Sequence, residues 1–384
     1  MRPETAIAGV GTTPYWFRGE SAPQTLYELI ATAALAAVAD AGIAIQDVDG
    51  FVFYASGFEP GLITEILGIP ELNFAATVSA QGGGSAGVLD LAAMAVETGR
   101  AKNVLCFGAC QQSKTRYGLT LSNLASTPDS IFQRTSGLKG PGHALAMLAR
   151  RHMHVYGTRR EAFAETVLSS REYAATQPGA IRRKGLTQDE YFAAPMLADP
   201  LCKLDFCLET DGALAFLVTS GERARDLRQK PVYIAASAHG GEGDWGRAFF
   251  SLNMPDAKFV TAGGEHTARR LYAQAGVGPA DIDVALLYDH FSPLVLMQLE
   301  DYGFCARGEG GPLVESGAIR KGGAIPVNPH GGHLSEAYVI GMTHIREAVQ
   351  QLRGQAANQI PDCRLALVTG GPAPIPMSGA ILRN

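Results

Sequence analysis

The side chains that could exchange protons with a substrate are concentrated in two short motifs of the C-terminal third. One reads Tyr-Asp-His-Phe over residues 288–291, and the other reads Asn-Pro-His-Gly-Gly over residues 328–332. Phenol, carboxyl and imidazole groups can each donate or accept a proton at a reacting centre. Tyr288 ends an apolar run, however, and a tyrosine there is commonly a core residue whose hydroxyl is hydrogen-bonded. The two motifs therefore indicate acid–base chemistry if the fold brings them together.

An internal repeat shows how the first motif is positioned. Residues 39–54 (ADAGIAIQDVDGFVFY) align without a gap with residues 273–288 (AQAGVGPADIDVALLY). Each copy predicts the end of a helix, a glycine stop, a short turn and a buried strand. Further on, Gly83-Gly84 and Gly331-Gly332 each precede a predicted helix and then a strand. The chain is therefore predicted to contain two copies of one α/β unit, with a site where the copies meet.

The same alternation divides the chain of 384 residues into two halves and an insertion. The N-terminal half is predicted to span residues 1–113 and 206–240, and the C-terminal half residues 241–384. Residues 114–205, rich in Arg, His, Tyr and Pro, interrupt the alternation and predict an inserted, partly helical loop region. Strands alternating with helices imply sheets covered on both faces. Two packed halves then give five layers, α-β-α-β-α, with Ala- and Gly-rich helices in the middle.

The overall composition excludes several classes of function. The formal net charge of −5 gives no reason to expect binding to nucleic acid or to an anionic membrane. The sequence has no apolar run of the roughly 18 residues that a membrane span needs. The N-terminus lacks the features of a signal peptide, so we expect a cytoplasmic protein. Six cysteines without a CxxC pair indicate free thiols, and His143, His152 and His154 lack metal-site spacing, so we predict no metal.

Backbone groups and one basic cluster are candidates for binding a substrate. Glycine exposes its N–H without side-chain bulk, so glycine pairs allow close approach of a ligand, although tight turns are the alternative. The cluster Arg182-Arg183-Lys184 suits phosphate oxygens, although a solvated loop is the alternative interpretation. The candidate glycines are Gly82, Gly83, Gly331, Gly332 and Gly371.

In order and spacing, four motifs of this chain resemble those of the thiolase superfamily, specifically its lipid-transfer-protein (SCP-x) branch. They are Asp211-Gly212-Ala213, the motifs at 288–291 and 328–332, and Gly370-Gly371. The resemblance covers essentially the whole chain. It implies the five-layered thiolase fold and a homodimer formed through the sheet of the first half.

The chain departs from the thiolases at each residue that carries their chemistry. The nucleophilic cysteine of a thiolase begins a helix, where the helix stabilises its thiolate, and it corresponds within one residue to Gly82. The second thiolase cysteine corresponds to Val368, the histidine to Tyr338, and the asparagine of the Asn-Glu-x-Phe motif to Tyr288. Covalent acyl transfer requires a nucleophile that these positions lack.

Two tyrosines in these positions are similar to the pair in aldolases that remove steroid side chains as CoA thioesters. The resemblance implies retro-aldol cleavage of a β-hydroxyacyl-CoA into a ketosteroid and a short acyl-CoA. We expect propionyl-CoA, with acetyl-CoA as the alternative. Tyr288 and Tyr338 would be base and acid, in either order, and backbone N–H groups would hold the enolate oxygen. The residues that would support the pair by charge, hydrogen bonding or orientation are His290, His330, Asp289 and Asn328.

A tyrosine needs help to act as a base. The pKa of free tyrosine is about 10, so about 0.1% of it is ionised at pH 7. The pocket must lower this pKa or tighten the proton transfer during the reaction. The chemistry needs no acyl-enzyme, so we expect no covalently bound cofactor, and CoA enters as part of the substrate.

Two other functions stay open at this point. One is a non-catalytic homologue that binds acyl-CoA and acts as a scaffold for a partner. The other is a degenerate acetyl-CoA acyltransferase with an unrecognised nucleophile. For the aldolases, the resemblance also implies a separate OB-fold partner, which carries a zinc ribbon in many relatives and contacts the acyl-CoA pocket. Any zinc would then lie on the partner.

Overall fold

Two half-sheets joined by a short ladder form the frame of the protein. The computed structural model describes residues 4–54, 59–78, 81–112, 131, 135–138, 140–243, 255–371 and 376–384. In chain order the strands are β1 (Thr5–Thr12), β2 (Trp16–Phe17), β3 (Gly50–Tyr54), β4 (Phe74–Thr77), β5 (Asn103–Gln111), β6 (Met196–Ala198), β7 (Leu201–Cys202), β8 (Thr210–Ser220), β9 (Val232–Gly240), β10 (Val284–Leu286), β11 (Leu365–Thr369) and β12 (Met377–Arg383).

The helices connect and cover these strands. They are α1 (Leu26–Ala41), α2 (Pro60–Leu67), α3 (Gly87–Glu97), α4 (Pro141–Tyr156), α5 (Arg160–Thr176), α6 (Gln188–Phe192), α7 (Gly221–Arg225), α8 (Glu265–Ala275), α9 (Pro293–Asp301), α10 (Gly310–Glu315) and α11 (Met342–Arg353). A single π-helical turn, Gly332–Glu336, precedes α11. Among the described helices, none combines the length and the apolarity that crossing a bilayer requires.

The strand order shows where the two halves are joined. Within the described residues the main sheet runs β10-β11-β12-β9-β1-β8-β5-β3-β4, with β2 beside β8. β9 pairs with β1 at two positions only, Ala6 with Tyr233 and Ile7 with Val232. It pairs with β12 along seven positions. β9, which precedes the boundary predicted after residue 240, therefore pairs mainly with a strand of the C-terminal half.

Three layers of helices enclose the two half-sheets. α1 packs on β1, β8 and β5, and α8 packs on β9 and β12. Between the half-sheets, α3 contacts β3, β5 and β8 on one side and β9 and β12 on the other, and α11 also contacts strands of both. One hydrophobic cluster lies between the two half-sheets and contains residues of both halves. Two further clusters lie on the outer faces of the half-sheets, under α1 and α8. The predicted five-layered, thiolase-like α/β fold is confirmed.

The repeat predicted from the sequence recurs in the structure. α1 is followed by Gly42 (φ 80°) and α8 by Gly276 (φ 69°), both in the left-handed conformation that glycine adopts without strain. A 3₁₀ turn comes next in each copy, and then β3 or β10. The helices after the glycine pairs differ, because α11 begins at Met342 and the π turn fills part of the gap.

The inserted region forms one wall of the molecule's centre. Residues 114–130 lie outside the described part of the chain. The rest of the insertion contains α4, α5, α6 and a hairpin of β6 and β7. α5 packs on the π turn, and Ser170 in α5 donates a hydrogen bond of 2.6 Å to the carbonyl oxygen of Gly331. The insertion thus contacts one of the two motifs that the sequence singled out.

Small residues allow α1 to approach β1 closely. A Cβ atom added at Gly11 would overlap the carbonyl oxygen of Ala33, and one added at Gly9 would overlap that of Ala37. Both alanines are fully buried. The backbone carbonyls of the helix therefore rest directly on the glycines of the strand, and no larger residue fits there.

We predict that Gly11→Ala lowers the free energy of unfolding by about 1–3 kcal/mol, because the added methyl group forces α1 away from β1. Urea denaturation followed by circular dichroism measures the change. Gly61→Ala in α2 is the matched control, since a Cβ there meets no atom within 4 Å. That variant should be as stable as the parent or slightly more so. Equal stability of both variants would contradict the packing argument.

Candidate active site

The structure brings Tyr288 and Tyr338 together. Their hydroxyl oxygens lie 3.1 Å apart, and either can donate the hydrogen bond. Both side chains are buried. The two rings stand perpendicular, with an angle of 89° between their planes and 6.4 Å between their centroids. Two phenols fifty positions apart in sequence therefore form one pair.

The backbone of Tyr288 is fixed by side chains of the C-terminal half. Its N–H donates to the hydroxyl of Thr369 at the end of β11 (2.9 Å). Its carbonyl oxygen accepts from the amide of Gln298 in α9 (3.0 Å). The hydroxyl of Thr369 donates to the other end of that amide (2.7 Å). The closed ring of hydrogen bonds holds the residue in one position after β10.

The backbone of Tyr338 is held by one threonine of the N-terminal half. Thr210, the first residue of β8, accepts from the N–H of Tyr338 (2.9 Å) and donates to its carbonyl oxygen (2.8 Å). Three residues further, Gly341 (φ 87°) packs so tightly against Ser85 and Tyr288 that a Cβ would come within 2.6 Å of the serine and 2.8 Å of the ring. The chain between the π turn and α11 is thereby bent to bring both tyrosines to one point.

The candidate glycines fall into two groups. Gly82 lies against the hydroxyl group of Tyr288, because a Cβ added at Gly82 would be 2.9 Å from the hydroxyl oxygen. Gly371 supports Gly82, since its N–H donates to the carbonyl oxygen of Gly82 (2.7 Å). The N–H of Gly331 donates to the carbonyl oxygen of Asn328 (2.8 Å). The N–H groups of Gly331 and Gly371 thus already donate to backbone carbonyls, and the role of these two glycines in binding the thioester stays a prediction.

The remaining glycines of the set have different surroundings. Gly332 (φ 57°) lies so close to Asp289 that a Cβ would overlap the carboxylate, which makes it a packing position. The carbonyl oxygen of Gly83 accepts a hydrogen bond of 2.5 Å from Ser378. Gly82 and Gly83 belong to a 3₁₀ turn that leads into α3. These two remain the candidates for close approach of a substrate.

Asn328 and Asp289 support the site through the backbone. The amide of Asn328 pairs with both backbone groups of Leu287, at 2.8 Å each, and extends the edge of β10 beside Tyr288. The carboxylate of Asp289 accepts from the N–H of His333 (2.8 Å) and, more weakly, from that of Leu334 (3.4 Å). The two motifs of the sequence are thus tied together by hydrogen bonds.

His290 and His330 are buried and uncharged at neutral pH. Burial lowers the pKa of His290 to about 3. Burial, with smaller contributions from His344 and Arg346, lowers the pKa of His330 well below its usual value. The ring of His290 contacts Tyr288 at 5.1 Å, whereas His330 packs against His344 at 4.8 Å. Burial disfavours the charged form of both rings, which favours hydrogen bonding over charge as the way these histidines would support the tyrosines. Their supporting role stays a prediction.

Two histidines that the sequence analysis did not select complete the surroundings of Tyr288. The ring of His333 contacts Tyr288 at 4.5 Å and Tyr338 at 5.0 Å. The ring of His344 stacks on Tyr288 at 6.2 Å. His333 directly follows Gly332, so reading the second motif one residue further would have found it. His344 lies inside α11, and no local signal marks it.

Asp289, His333 and His344 offer one possible metal-ligand atom each, all within 4.8 Å of one another. Nε2 of His344, however, donates its proton to the carbonyl oxygen of Leu287 (2.9 Å). That leaves two available ligand atoms, and zinc sites in proteins use at least three protein ligands. We assign no metal site among the described residues.

A buried ion network lies beneath the π turn. Glu336 at the end of the turn accepts a hydrogen bond of 2.7 Å from Arg346 in α11 and another of 2.8 Å from Gln177. The N–H of Arg182 donates to the carbonyl oxygen of Ser335 (2.9 Å). The predicted basic cluster therefore begins beside the turn, and its three side chains are exposed at the surface.

Two adjoining cavities lie near the site, and the smaller one reaches the first motif at Phe291, although the tyrosine pair lines neither of them. One of about 340 Å³ has an apolar lining that includes Leu197, Phe206 and Phe291. Backbone hydrogen bonds connect its wall to the site. The N–H of Cys207 donates to the carbonyl oxygen of His290 (3.0 Å), and the N–H of Leu208 donates to the carbonyl oxygen of His333 (2.9 Å). The other cavity, of about 660 Å³, shares its lining residues His143 and Ala198 with the first and also contains Arg150, Arg151 and His154.

The cysteines nearest the site are not activated. Burial, followed by the charge of Asp289, raises the pKa of Cys207 well above its usual value. Burial, with the charge of Asp211, raises the pKa of Cys110 to about 12. Nucleophilic cysteines need a lowered pKa, since the thiolate is the reactive form. Neither thiol provides the nucleophile of an acyltransferase.

The sequence is similar to that of known enzymes over its whole length. The family model described as Thiolase C-terminal domain-like matches residues 248–380. The 17-hydroxy-3-oxo-4-pregnene-20-carboxyl-CoA lyase of Mycobacterium tuberculosis is 38% identical, over 99% of each chain. The steroid side-chain-cleaving aldolase of Thermomonospora curvata is 39% identical, over 98% of this chain and 97% of that protein. This chain belongs to the thiolase superfamily. Within it, the chain groups with the steroid side-chain-cleaving aldolases.

Solved structures agree with the assignment of this thiolase-superfamily protein. A structure described as the Ltp2-ChsH2(DUF35) aldolase matches with a TM-score of 0.92 at 37% identity, over 100% of this chain and 98% of that one. Human mitochondrial 3-ketoacyl-CoA thiolase matches with a TM-score of 0.72 at 15% identity, over 100% and 99%, a likeness of fold alone. The chain is an aldolase, a carbon–carbon lyase on a thiolase fold.

We predict that Gly82→Ala lowers kcat by about 100-fold, because the methyl group displaces the hydroxyl of Tyr288, and small misplacements of reacting groups are costly. Steady-state kinetics measures the effect. Gly61→Ala serves again as the control and should keep full activity. Unchanged kcat in Gly82→Ala would mean that the hydroxyl pair tolerates displacement.

Proposed function

We propose that the chain cleaves the CoA thioester of a steroid-type β-hydroxy acid by a retro-aldol reaction, without a covalent intermediate. The products are a ketosteroid and a short acyl-CoA, which we expect to be propionyl-CoA. The observation that carries the proposal is the 3.1 Å contact between the buried hydroxyls of Tyr288 and Tyr338. It stands where the superfamily resemblance places the chemical residues of a thiolase.

The relatives support the choice of substrate class. The name of the Mycobacterium tuberculosis relative specifies a 17-hydroxysteroid with a 20-carboxyl-CoA group, and that of the Thermomonospora curvata relative specifies steroid side chains. A hydroxyl on the carbon next to the α-carbon is what a retro-aldol cleavage requires. At 38–39% identity over the full length, the same substrate class is the natural proposal for this chain.

The tyrosine pair suits the two proton transfers of this reaction. One hydroxyl accepts the proton of the substrate's β-hydroxyl as the bond between the α- and β-carbons breaks. The other hydroxyl returns a proton to the α-carbon of the enolate. The enolate oxygen carries the developing charge, and the backbone N–H groups of Gly82 and Gly83 are our candidates for stabilising it. A buried site strengthens each of these interactions.

The two adjoining cavities suggest where CoA binds. We propose that the pantetheine arm occupies the smaller, apolar cavity beside Phe206 and Phe291. The phosphates would then lie in the larger cavity, beside Arg150 and Arg151. Arg150 is paired with Asp199, and Arg151 lies 3.6 Å from Asp256, so phosphates would compete with these exposed carboxylates. The alternative phosphate site is the exposed cluster of residues 182–184.

We also propose that the chain acts in a complex. The structural neighbour is described as an aldolase of Ltp2 with ChsH2(DUF35), which supports a separate partner protein for this chain. We expect an OB-fold partner, with any zinc ribbon on the partner, and a homodimer of this chain at the centre.

The first test is cleavage of a 17-hydroxysteroid-20-carboxyl-CoA thioester by the purified chain, with and without the partner. We expect mass spectrometry to detect a ketosteroid and a short acyl-CoA. Tyr288→Phe and Tyr338→Phe should each lower kcat by about 100-fold or more, because each removes one proton-transfer group. Tyr233→Phe, on β9 outside the site, should keep full activity. Intact binding of the thioester without cleavage by the complete complex would instead favour the scaffold function.

A second test separates the two phosphate sites. Arg150→Ala and Arg151→Ala should each raise KM for the CoA thioester by about 10-fold with little change in kcat, as expected for loss of a charge-assisted contact. Arg182→Ala and Arg183→Ala are the matched variants and should leave KM nearly unchanged. The reverse pattern would move the phosphates to the cluster of residues 182–184.

A further inference from the structure

His333 is a buried histidine beside the tyrosine pair that the proposed reaction has not yet used. It is the second residue of the π turn, and its side chain is fully buried. Its ring stands nearly perpendicular to both tyrosine rings, at 78° to Tyr288 and 74° to Tyr338. With centroids 4.5 Å and 5.0 Å away, it is in contact with both members of the pair.

Neither ring nitrogen of His333 has a hydrogen bond within the described part of the chain. By contrast, His344 donates from Nε2 to the carbonyl oxygen of Leu287 (2.9 Å) and places Nδ1 3.3 Å from the hydroxyl of Thr343. Burying an unpaired polar group costs free energy, and such groups are uncommon in folded proteins. A phenylalanine would fill a similar space without that cost. Both ring nitrogens of His330 are also unpaired among the described residues, but its ring packs against His344, whereas the ring of His333 packs against the tyrosine pair.

Asp289 orients the ring of His333. One carboxylate oxygen accepts the backbone N–H of His333 at 2.8 Å and lies 3.4 Å from the ring Nδ1. The carboxylate favours the tautomer with its proton on Nδ1, which leaves Nε2 as an acceptor. Burial, with the neighbouring His344, His290 and His330, lowers the pKa of His333 well below its usual value. The ring is therefore neutral at rest, and because burial disfavours its protonated form, the adjacent carboxylate of Asp289 is needed to stabilise the proton that it takes up.

We propose that His333 is the proton acceptor behind the tyrosine pair, with Asp289 as its positioning residue. The inference rests on the proposed retro-aldol function and supplies what a tyrosine lacks, since a neutral phenol is a poor base at pH 7. Hydrogen bonds of catalytic groups are often long before substrate binds and shorten in the complex. Nε2 of His333 has no hydrogen bond to any described residue, so the proposal requires that its bond to a tyrosine hydroxyl forms when substrate binds, and the contact with both rings leaves either tyrosine as its partner.

The proton balance of the step is closed. The substrate hydroxyl gives its proton to one tyrosine oxygen while that tyrosine gives its own proton to Nε2 of His333. The electron pair left on the substrate oxygen forms the ketone, and the pair of the broken carbon–carbon bond forms the enolate. The other tyrosine protonates the α-carbon and regains a proton from His333 across the 3.1 Å hydroxyl contact. Asp289 stabilises the transient imidazolium.

The test uses two variants of His333 in the full complex. His333→Phe keeps a ring against the tyrosines and removes both nitrogens, so kcat should fall by about 100-fold while KM changes little. His333→Ala leaves a cavity the size of an imidazole. Added imidazole should restore activity to His333→Ala, whereas pyrrole, which has the same shape but no acceptor nitrogen, should not. His266→Phe on α8, where Nδ1 is also without a hydrogen bond within the described chain, is the control and should keep full activity.

Two outcomes would overturn the proposal. Activity of His333→Phe close to that of the parent would show that the nitrogens are not needed. Equal rescue of His333→Ala by pyrrole and imidazole would reduce His333 to a packing role. Exchange of the α-protons of propionyl-CoA in D₂O provides a readout that is independent of the steroid. A parent enzyme that exchanges these protons but cleaves no steroid thioester would contradict the proposed substrate class. The exchange rates of the His333 variants would still test the role of His333 in that case.

Discussion

The contact between the hydroxyls of Tyr288 and Tyr338 places a strict demand on the backbone that carries them. Two phenols meet at 3.1 Å inside a closed core only if both main chains are held to within a fraction of an ångström. Thr369 and Thr210 fix these main chains, because the hydroxyl of each forms hydrogen bonds with the backbone of one tyrosine. Gly82 and Gly341 leave space for Tyr288, since a Cβ at Gly82 would lie 2.9 Å from its hydroxyl oxygen and one at Gly341 would lie 2.8 Å from its ring.

The same demand explains how a thiolase fold can carry a different reaction. In a thiolase, the helix after the first glycine turn presents a cysteine, and here the resemblance puts Gly82 in that place. The vacated side-chain space is used by the hydroxyl of Tyr288, which lies against Gly82. The pKa values of Cys207 and Cys110 are raised, whereas a nucleophilic cysteine needs a lowered one. In the proposed reaction the thiolase fold is retained, and tyrosine hydroxyls act where a thiolase uses a cysteine thiol.

The sequence predicted the fold well, because the repeat depends on local signals. Glycine after a helix and an apolar run after a turn are short-range features, and Gly42 and Gly276 occupy the conformations that they imply. The tyrosine pair followed from the resemblance to the thiolases, which aligned Tyr288 and Tyr338 with chemical residues of that superfamily. The pairing of β9 is a long-range property that the sequence does not reveal: β9 forms two residue pairs with β1 and seven with β12.

The charge states of the histidines could not be predicted from the sequence. His290 and His330 stand next to an acidic residue or a glycine pair, and either pattern is compatible with an exposed, titrating imidazole. Only the packing of α5 and α11 on the π turn shows that water is excluded and the rings are neutral. His333 was missed for the same reason, since its significance comes from contacts with residues 45 positions before and five positions after it.

The hydrogen bonds that fix the two tyrosines come from different halves of the chain. Tyr288 is bound by α9 and β11 of one half, and Tyr338 is bound by β8 of the other. The half-sheets share two residue pairs of ladder, so their mutual alignment is set mainly by α3 and α11 packed between them. A nascent chain with one half folded holds one tyrosine at most in place. The geometry of the tyrosine pair therefore depends on both halves being folded and packed against each other.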